Sequence, residues 1–160
     1  MAIRPATSQD WAAIWRIIEP IIRAGETYAL DPAMSEADAR AYWMGGDRDT
    51  FVADDGGAML GTYYLRANQA GGGAHVANCG YATAEAARGK GVARAMCEHS
   101  LVRAKERGFT AMQFNFVVAS NEAAVHLWKA MGFEVVGTLP GAFRHPRLGL
   151  VDALVMFRAL

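Results

Sequence analysis

The chain has 160 residues, of which 52% are hydrophobic and 20% charged, and its formal net charge at pH 7 is zero. A chain of this size can bury one hydrophobic core and has no room for a second domain of ordinary size, so we expect a single domain over residues 1–160. The charge balance gives no electrostatic basis for binding nucleic acid or an acidic membrane. No apolar run could cross a bilayer and the first residues lack a signal peptide's apolar region, so a cytoplasmic protein is expected.

The chain contains two cysteines, Cys79 and Cys97, and four histidines. Neither residue type shows the spacing of a metal site, and the two cysteines make no disulfide framework. We therefore expect no metal, and we expect both cysteines to pack as small core residues.

The amino-terminal half predicts a strand, two helices and a β-hairpin. The first helix follows from apolar residues at helical spacing, and Pro20 is expected to end or bend it. The hairpin follows from the turn sequence Asp54-Asp55-Gly56-Gly57 between two apolar runs. These elements are expected over residues 2–5, 8–22, 35–43, 50–53 and 59–66.

The carboxy-terminal half predicts alternating strands and helices, followed by a loop rich in Pro, Gly and Arg at residues 138–151. The elements are expected over residues 75–83 (strand), 88–107 (helix), 112–118 (strand), 122–131 (helix), 133–137 (strand) and 152–157 (strand). The predicted order along the chain is a group of strands followed by strand-helix-strand-helix-strand. This order suits an α/β sandwich around a mixed sheet.

The sequence Arg88-Gly89-Lys90-Gly91 contains two glycines and two cationic residues. It lies at the start of the helix that is predicted to follow the strand ending at Thr83. A helix start offers free backbone N–H groups and the positive end of the helix dipole, which together bind phosphate. Glycine lets the backbone approach the anion, and the arginine and lysine add charge. This pattern alone is common and weak.

A second segment makes the pattern specific, because residues 121–133 read Asn-Glu-Ala-Ala-Val-His-Leu-Trp-Lys-Ala-Met-Gly-Phe. Together the two segments resemble the GNAT superfamily of acyl-coenzyme A-dependent N-acyltransferases, whose pyrophosphate signature and later Asn-x-x-Ala-x-x-Leu-Tyr-x-x-x-Gly-Phe block they match in order and separation. The resemblance implies a mixed, mostly antiparallel central sheet flanked by helices, with strands that splay apart at the cofactor site. It also implies acetyl-CoA as co-substrate.

The resemblance assigns the cofactor-binding residues. The backbone of Tyr81, Ala82 and Thr83 would pair with the pantetheine arm, and Asn121, which is also expected to cap the next helix, would reach the same arm. The pyrophosphate would be wrapped by Arg88, Gly89, Lys90, Gly91, Val92, Ala93 and Arg94.

The chain departs from the family block at Trp128, where relatives have the tyrosine that protonates the departing thiolate. An indole N–H donates a hydrogen bond but is no useful acid at neutral pH. Trp128 is therefore expected to pack against the cofactor arm, and the thiolate would leave to solvent or take its proton from another group.

Two asparagines within apolar strands, Asn78 and Asn115, are the main catalytic candidates. A buried amide without a partner costs a few kcal/mol, so each must be hydrogen bonded either within the core or to a ligand. Asn78 is the better candidate to polarise the thioester carbonyl, because its strand carries the cofactor-pairing residues. Asn115 would orient the acceptor.

The segment between the first two helices contains Glu26 and Tyr28, and in this superfamily that region lines the acceptor site. Glu26 could bind a substrate ammonium or act through water as a catalytic group, while a solvated loop carboxylate is the alternative. Tyr28 is expected to contact substrate.

A narrower likeness covers residues 61–69, 75–81, 114–121 and 151–154. These segments resemble the fungal N-acetyltransferases that act on proline analogues such as azetidine-2-carboxylate, and more generally the phosphinothricin-type acetyltransferases. This likeness places Asn78, Asn115 and Phe116 beside the acceptor pocket and implies an amino-acid-like acceptor.

We therefore expect acetyl transfer to a small amine by direct attack in a ternary complex, because no Cys or Ser has a convincing nucleophile setting. A protein N-terminal or lysine acetyltransferase and a non-catalytic acyl-CoA-binding sensor are the alternatives. The oligomeric state is open, with a homodimer among the states considered.

Overall fold

The structure, a computed structural model, describes residues 1–160 and contains seven strands and four helices. The strands are β1 Ala2–Pro5, β2 Asp49–Asp55, β3 Ala58–Ala67, β4 Val76–Thr83, β5 Ala111–Val118, β6 Glu134–His145 and β7 Gly149–Ala159. The helices are α1 Trp11–Ala24, α2 Glu36–Met44, α3 Val92–Glu106 and α4 Glu122–Ala130.

All seven strands form one sheet in the order β1-β2-β3-β4-β5-β7-β6. Every neighbouring pair is antiparallel except β4 and β5, which run parallel. This parallel pair is joined only at Val76↔Ala111 and Ala77↔Met112. Beyond these two pairs the strands part, so the expected mixed, mostly antiparallel sheet with a splay is confirmed.

The helices cover both faces of the sheet, and their apolar stripes explain the placement. α1 and α2 pack on one face, where Ile14, Ile18 and Trp43 are fully buried. α3 and α4 pack on the other face, where Met96 and Trp128 join the larger core cluster. None of these helices has both the length and the apolar character needed to span a bilayer.

Pro20 does not end the first helix, which was one of the two outcomes expected from the sequence, an end or a bend. α1 continues to Ala24, with Pro20 inside it, and closes at Gly25 in the left-handed conformation, φ 62°. Pro20 is exposed whereas Ile18 and Ile22 on either side are buried. The burial of the apolar face therefore offsets the one backbone hydrogen bond that proline cannot make.

The predicted loop at residues 138–151 is mostly strand. β6 extends to His145 and β7 begins at Gly149, so the two strands form one long hairpin. Pro140 is tolerated because β6 is the edge strand of the sheet. The register shifts between Leu139 and Phe143, which accommodates the Pro-Gly sequence as a bulge that composition alone presents as a loop.

Candidate active site

The splay between β4 and β5 opens into a cleft of about 1000 Å³ that is lined by 37 residues. The carboxyl end of α1, the segment that follows it, and strands β3 to β5 form its walls. The starts of α3 and α4 close one end. The cleft contains nearly every site residue that the sequence singled out, Lys90 being the exception.

The start of α3 has the geometry of an anion site. Gly89 and Gly91 have φ of 73° and 79°, and a Cβ added at either would meet no atom within 4 Å, so both open onto free space. The first helical hydrogen bond runs from Ala95 N–H to Gly91 C=O at 3.0 Å, so the amides of the turn before Ala95 have no helical acceptor. Arg88 is exposed beside them. These groups fit a pyrophosphate.

The free edge of β4 faces the splay. Asn68 N–H bonds to Val76 C=O and Ala84 N–H to Leu60 C=O, so the even-numbered backbone groups of β4 turn towards β3. Strand alternation then turns the backbone groups of Tyr81 and Thr83 into the cleft, beyond the last pairing with β5. An extended ligand arm could pair with them as a further strand would.

Tyr28 crosses this free edge, because its hydroxyl donates a hydrogen bond to the Tyr81 carbonyl. Burial raises the pKa of the Tyr28 phenol, so the group stays protonated and remains a donor. The segment between α1 and α2 is thereby tied to the strand that carries the predicted cofactor-pairing backbone.

Asn78 lies at the point where β4 and β5 part. Its side chain is 7% exposed, and its Nδ2 donates to the Gln113 carbonyl at 3.0 Å, one residue beyond the last paired residue of β5. The core hydrogen bond considered from the sequence is therefore present. The amide carries a second N–H and a carbonyl oxygen that bond to no other protein group, and the residue lines the cleft.

Asn115 differs from the expectation that it would be buried, because its side chain is exposed. Its Nδ2 donates to Asn68 Oδ1 at 2.6 Å, and its Oδ1 accepts from Gln113 Nε2 at 3.0 Å. The physical reason is a bulge: between Phe114↔Met156 and Val117↔Leu154 two residues of β5 oppose one of β7. The splay leaves this part of β5 without a neighbour on its other side.

Aromatic side chains form the floor of the cleft. Trp128 is 9% exposed and packs with ring centroids 5.0 Å from both Tyr81 and Phe114. Its indole N–H donates to no protein acceptor. Phe116 is half-buried and meets Phe143 edge-on at 6.2 Å. Trp128 therefore packs at the cleft surface and offers a hydrogen-bond donor but no acid, and its contact with the cofactor arm stays a prediction.

Asn121 caps α4 by accepting from Ala124 N–H at 3.4 Å, and it also lines the cleft. The capping role expected from the sequence is present, and the Nδ2 group remains free for a ligand.

An ion pair at 2.6 Å joins Glu26, which lines the cleft, to Arg147 in the turn between β6 and β7. The guanidinium of Arg147, through its hydrogen bond and charge, lowers the pKa of the Glu26 carboxyl. A carboxylate held in this way is a poor proton acceptor. The contact therefore argues against Glu26 as a general base and makes it a link between the α1–α2 segment and the β6–β7 hairpin.

Three tyrosines wall the end of the cleft nearest Asn78. The hydroxyls of Tyr42 and Tyr64 lie 3.3 Å apart, and Tyr28 completes the wall. The Tyr64 ring lies over Gly80, where any Cβ would come within 2.5 Å of the ring. Glycine is thus required at residue 80 for the ring to occupy this position.

Arg66 and His145 are polar residues of the cleft that the sequence does not single out. Arg66 pairs with Asn78 across β3 and β4 and lines the cleft. His145 is buried at the end of β6, and its Nδ1 accepts from the backbone N–H groups of Arg147 and Leu148 at 3.1 and 3.2 Å. Neither stands in a recognisable motif, and only the strand register brings them to the site.

Cys79 borders the cleft but lies on the face of β4 opposite Asn78, buried in the core cluster to which α3 contributes. Burial raises the pKa of its thiol to about 12, so it is not a thiolate at neutral pH. The expectation that both cysteines are core residues holds, because Cys97 is also fully buried.

The sequence and the fold are similar to those of known acetyltransferases. The model of the acetyltransferase (GNAT) family matches residues 11–133. The chain is similar to the structure of a GCN5-related N-acetyltransferase from Kribbella flavida, with 45% identity, 99% and 97% of the two chains covered and a TM-score of 0.95. It is 27% identical over 151 residues to N-acetyltransferase aca1 of Schizosaccharomyces pombe, covering 84% of this chain and 72% of that protein.

The same fold occurs in a phosphinothricin acetyltransferase from Sinorhizobium meliloti solved with acetyl-CoA, at 24% identity, 99% and 88% coverage and a TM-score of 0.86. The splayed sheet, the glycine-rich start of α3 and the family match over most of the sequence lead to one conclusion. The chain belongs to the GNAT family and is an N-acetyltransferase that uses acetyl-CoA.

Proposed function

We propose that the enzyme acetylates a small amine, an amino acid or an amino-acid analogue, by direct attack in a ternary complex. The observation that carries this proposal is the position of Asn78. It lies where the free edge of β4 meets the tyrosine-walled end of the cleft, so it adjoins the predicted path of the cofactor arm and the space left for an acceptor.

When bound, acetyl-CoA supplies the acetyl group as a thioester. The start of α3 holds its phosphates, the Tyr81 and Thr83 backbone aligns its arm, and Trp128 packs against the same arm. Asn78 uses its second N–H to donate to the carbonyl oxygen under attack, where negative charge develops. Its first N–H stays on Gln113, which fixes the direction of the amide.

Direct transfer is favoured over an acyl-enzyme route because the thiol of Cys79 is a poor nucleophile. Cys79 is buried on the opposite side of β4 and its pKa is raised to about 12. A nucleophile of this kind would need both exposure and a neighbouring base or cation.

We favour a small acceptor over a peptide because the Glu26–Arg147 pair links the α1–α2 segment, which lines the cleft, to the turn between β6 and β7. Asn115 and Phe116 lie on the β5 wall, where they would orient a small acceptor.

A homodimer is the proposed assembly, because β6 is an exposed edge strand with apolar side chains. Val136 and Leu139 are 59% and 40% exposed, and an uncovered apolar edge of this length favours pairing with another chain. Sedimentation equilibrium tests this: a dimer that Val136→Lys converts to monomer is expected, and a monomeric wild type at micromolar concentration would contradict it.

The function is tested by release of free coenzyme A thiol in the presence of acetyl-CoA and a panel of acceptors. The panel contains free L-amino acids, their carboxamides, simple primary amines and short peptides, with a no-acceptor control for hydrolysis. We expect thiol release with free amino acids and a mass increase of one acetyl group on the amine. Exclusive peptide turnover would favour protein acetylation, and cofactor binding without any turnover would favour a sensor.

A further inference from the structure

Arg66 lines the cleft, and nothing in the protein compensates its charge. It lies on β3 opposite Asn78, on the face of the sheet that carries the tyrosine wall. Its side chain forms no salt bridge and no hydrogen bond, and it stacks on no aromatic ring. Its Nε is buried without a partner. A guanidinium in this setting carries a desolvation cost that an anion would remove.

Two other arginines also have a buried Nε without a partner, and both are compensated in another way. Arg48 lies over the rings of Tyr42 and Tyr64, at 5.0 and 5.3 Å, and reaches Asp47. Arg103 lies over Phe51 and pairs with Glu106. Arg66 is therefore the exception among the three, and it is the one that lines the cleft.

The cleft itself offers Arg66 no anion. Its two carboxylates are Glu26, which is bound to Arg147, and Glu85, which belongs to the turn before α3. The phosphate site at the start of α3 lies at the far end of β4 from Asn78. The anion that Arg66 would bind must therefore arrive with the acceptor.

We propose that Arg66 binds the carboxylate of the acceptor and makes the enzyme selective for free amino acids over amines and amides. This inference rests on the proposed function and specifies its substrate class. Directly opposed residues of two antiparallel strands have Cβ atoms about 4.5–5.5 Å apart. Arg66 can therefore hold the carboxylate of an acceptor while the amine of the same molecule lies beside Asn78, provided that one carbon separates the two groups.

The test compares wild type, Arg66→Met and the matched control Arg103→Met. Saturation kinetics are measured with the best free amino acid of the panel and with its carboxamide. Arg66→Met should raise KM for the amino acid about 10- to 100-fold, the effect of losing a charge-assisted hydrogen-bonded pair. KM for the carboxamide and the affinity for acetyl-CoA should stay unchanged, and Arg103→Met should behave as wild type.

A second measurement does not depend on turnover. In ¹⁵N-labelled protein saturated with coenzyme A, the Arg66 Nε–H resonance is identified by its loss in Arg66→Met. We expect it to shift when free amino acids are added and to stay in place with carboxamides.

The outcomes separate this inference from the proposed function. Amine turnover without a preference for the carboxylate, or an equal KM increase for amino acid and carboxamide in Arg66→Met, would overturn the role of Arg66 alone. A loss of acetyl-CoA affinity in Arg66→Met would assign the residue to the cofactor instead. If no amine is acetylated, the proposed function fails, and the Nε–H resonance still decides whether Arg66 binds a carboxylate.

Discussion

Asn78 makes one structural hydrogen bond and has one proposed catalytic role, and Asn78→Ala removes both. Asn78→Ala removes the bond to Gln113, which should lower the free energy of unfolding by about 1–3 kcal/mol. It also removes the donor proposed for the reacting carbonyl, which should lower kcat about 10²–10³-fold with little change in KM for acetyl-CoA. Denaturant unfolding gives the change in the free energy of unfolding, and steady-state kinetics on the folded fraction give kcat and KM.

The matched control is Asn68→Ala, which removes an amide of the same size that bonds to Asn115 and does not line the cleft. It should keep its kcat. Near-wild-type kcat in well-folded Asn78→Ala protein would leave Asn78 with its structural bond only.

Glu26 was considered as a catalytic carboxylate, and its partner gives a pH test. Arg147 lowers the pKa of Glu26, so the carboxylate is ionised at every pH above its ordinary range and does not titrate between pH 6 and 9. Glu26→Gln should therefore give a pH profile of kcat/KM parallel to that of wild type. Loss of the acidic limb of the profile in this variant would instead identify Glu26 as the base.

Trp128 is expected to act through its ring. Trp128→Phe keeps an aromatic contact with Tyr81 and Phe114, so it should keep most of kcat and lose less stability than the ~3–5 kcal/mol typical of Trp→Ala. Trp128→Tyr should raise turnover if protonation of the thiolate limits the rate. A large loss of kcat in a stable Trp128→Phe variant would show that the indole N–H has a role of its own.

At the residue scale the sequence predicted positions within strands better than side-chain environments. Asn78 and Trp128 were recognisable because a polar residue in an apolar strand and a departure from a family block both stand out. The exposure of Asn115 depends on a bulge whose position no local pattern marks. Arg66 was missed because its significance comes from the lack of a partner, which only the folded chain reveals.

At the scale of elements, the start of α3 is the part of the site with the clearest electrostatic basis. Reversing both cations in Arg88→Glu/Lys90→Glu places two negative charges beside amides that should bind phosphate. Calorimetry should show acetyl-CoA affinity lowered about 10- to 100-fold, with an unchanged circular dichroism spectrum.

The control for net charge is Lys105→Glu/Lys129→Glu, which makes the same change in charge away from the cleft. It should bind acetyl-CoA as wild type does. If the two double variants lose the same affinity for acetyl-CoA, the loss comes from the change in net charge and not from contacts at the start of α3.

Helices were more predictable than the last strands. α3 and α4 begin within a few residues of their expected starts because glycine and asparagine mark them. The sequence predicts a loop where the structure has the β6–β7 hairpin, because Pro140 and Gly141 are signals for a turn and only their place at the edge of the sheet allows them in a strand.

At the scale of the whole molecule, the mixed sheet and its flanking helices followed from the order of elements and from the resemblance of two motifs to a known family. The strand order could not be read from the chain, because β7 inserts between β5 and β6. That insertion is a long-range pairing with no local signal, yet it fixes β5 as one wall of the cleft.

The two pairs that join β4 to β5 also bear on cooperativity. The sheet consists of a four-stranded part, β1 to β4, and a three-stranded part, β5 to β7, linked by backbone pairing only at Val76↔Ala111 and Ala77↔Met112. We expect each part to open as a unit of its own although they share one core cluster, so native-state hydrogen exchange of the free enzyme should show two opening free energies instead of one.

A cofactor arm that pairs with β4 would act as the missing link between these units. Acetyl-CoA at 100 times its Kd should stabilise the native state by about 2.7 kcal/mol and slow exchange most at the amides of Tyr81 and Thr83. The two opening free energies should then converge. Uniform slowing across both parts, with no added protection on β4, would contradict the pairing. Because the arm of acetyl-CoA would fill the gap between β4 and β5, it would also complete the sheet. We therefore expect the enzyme to unfold with full cooperativity only when acetyl-CoA is bound.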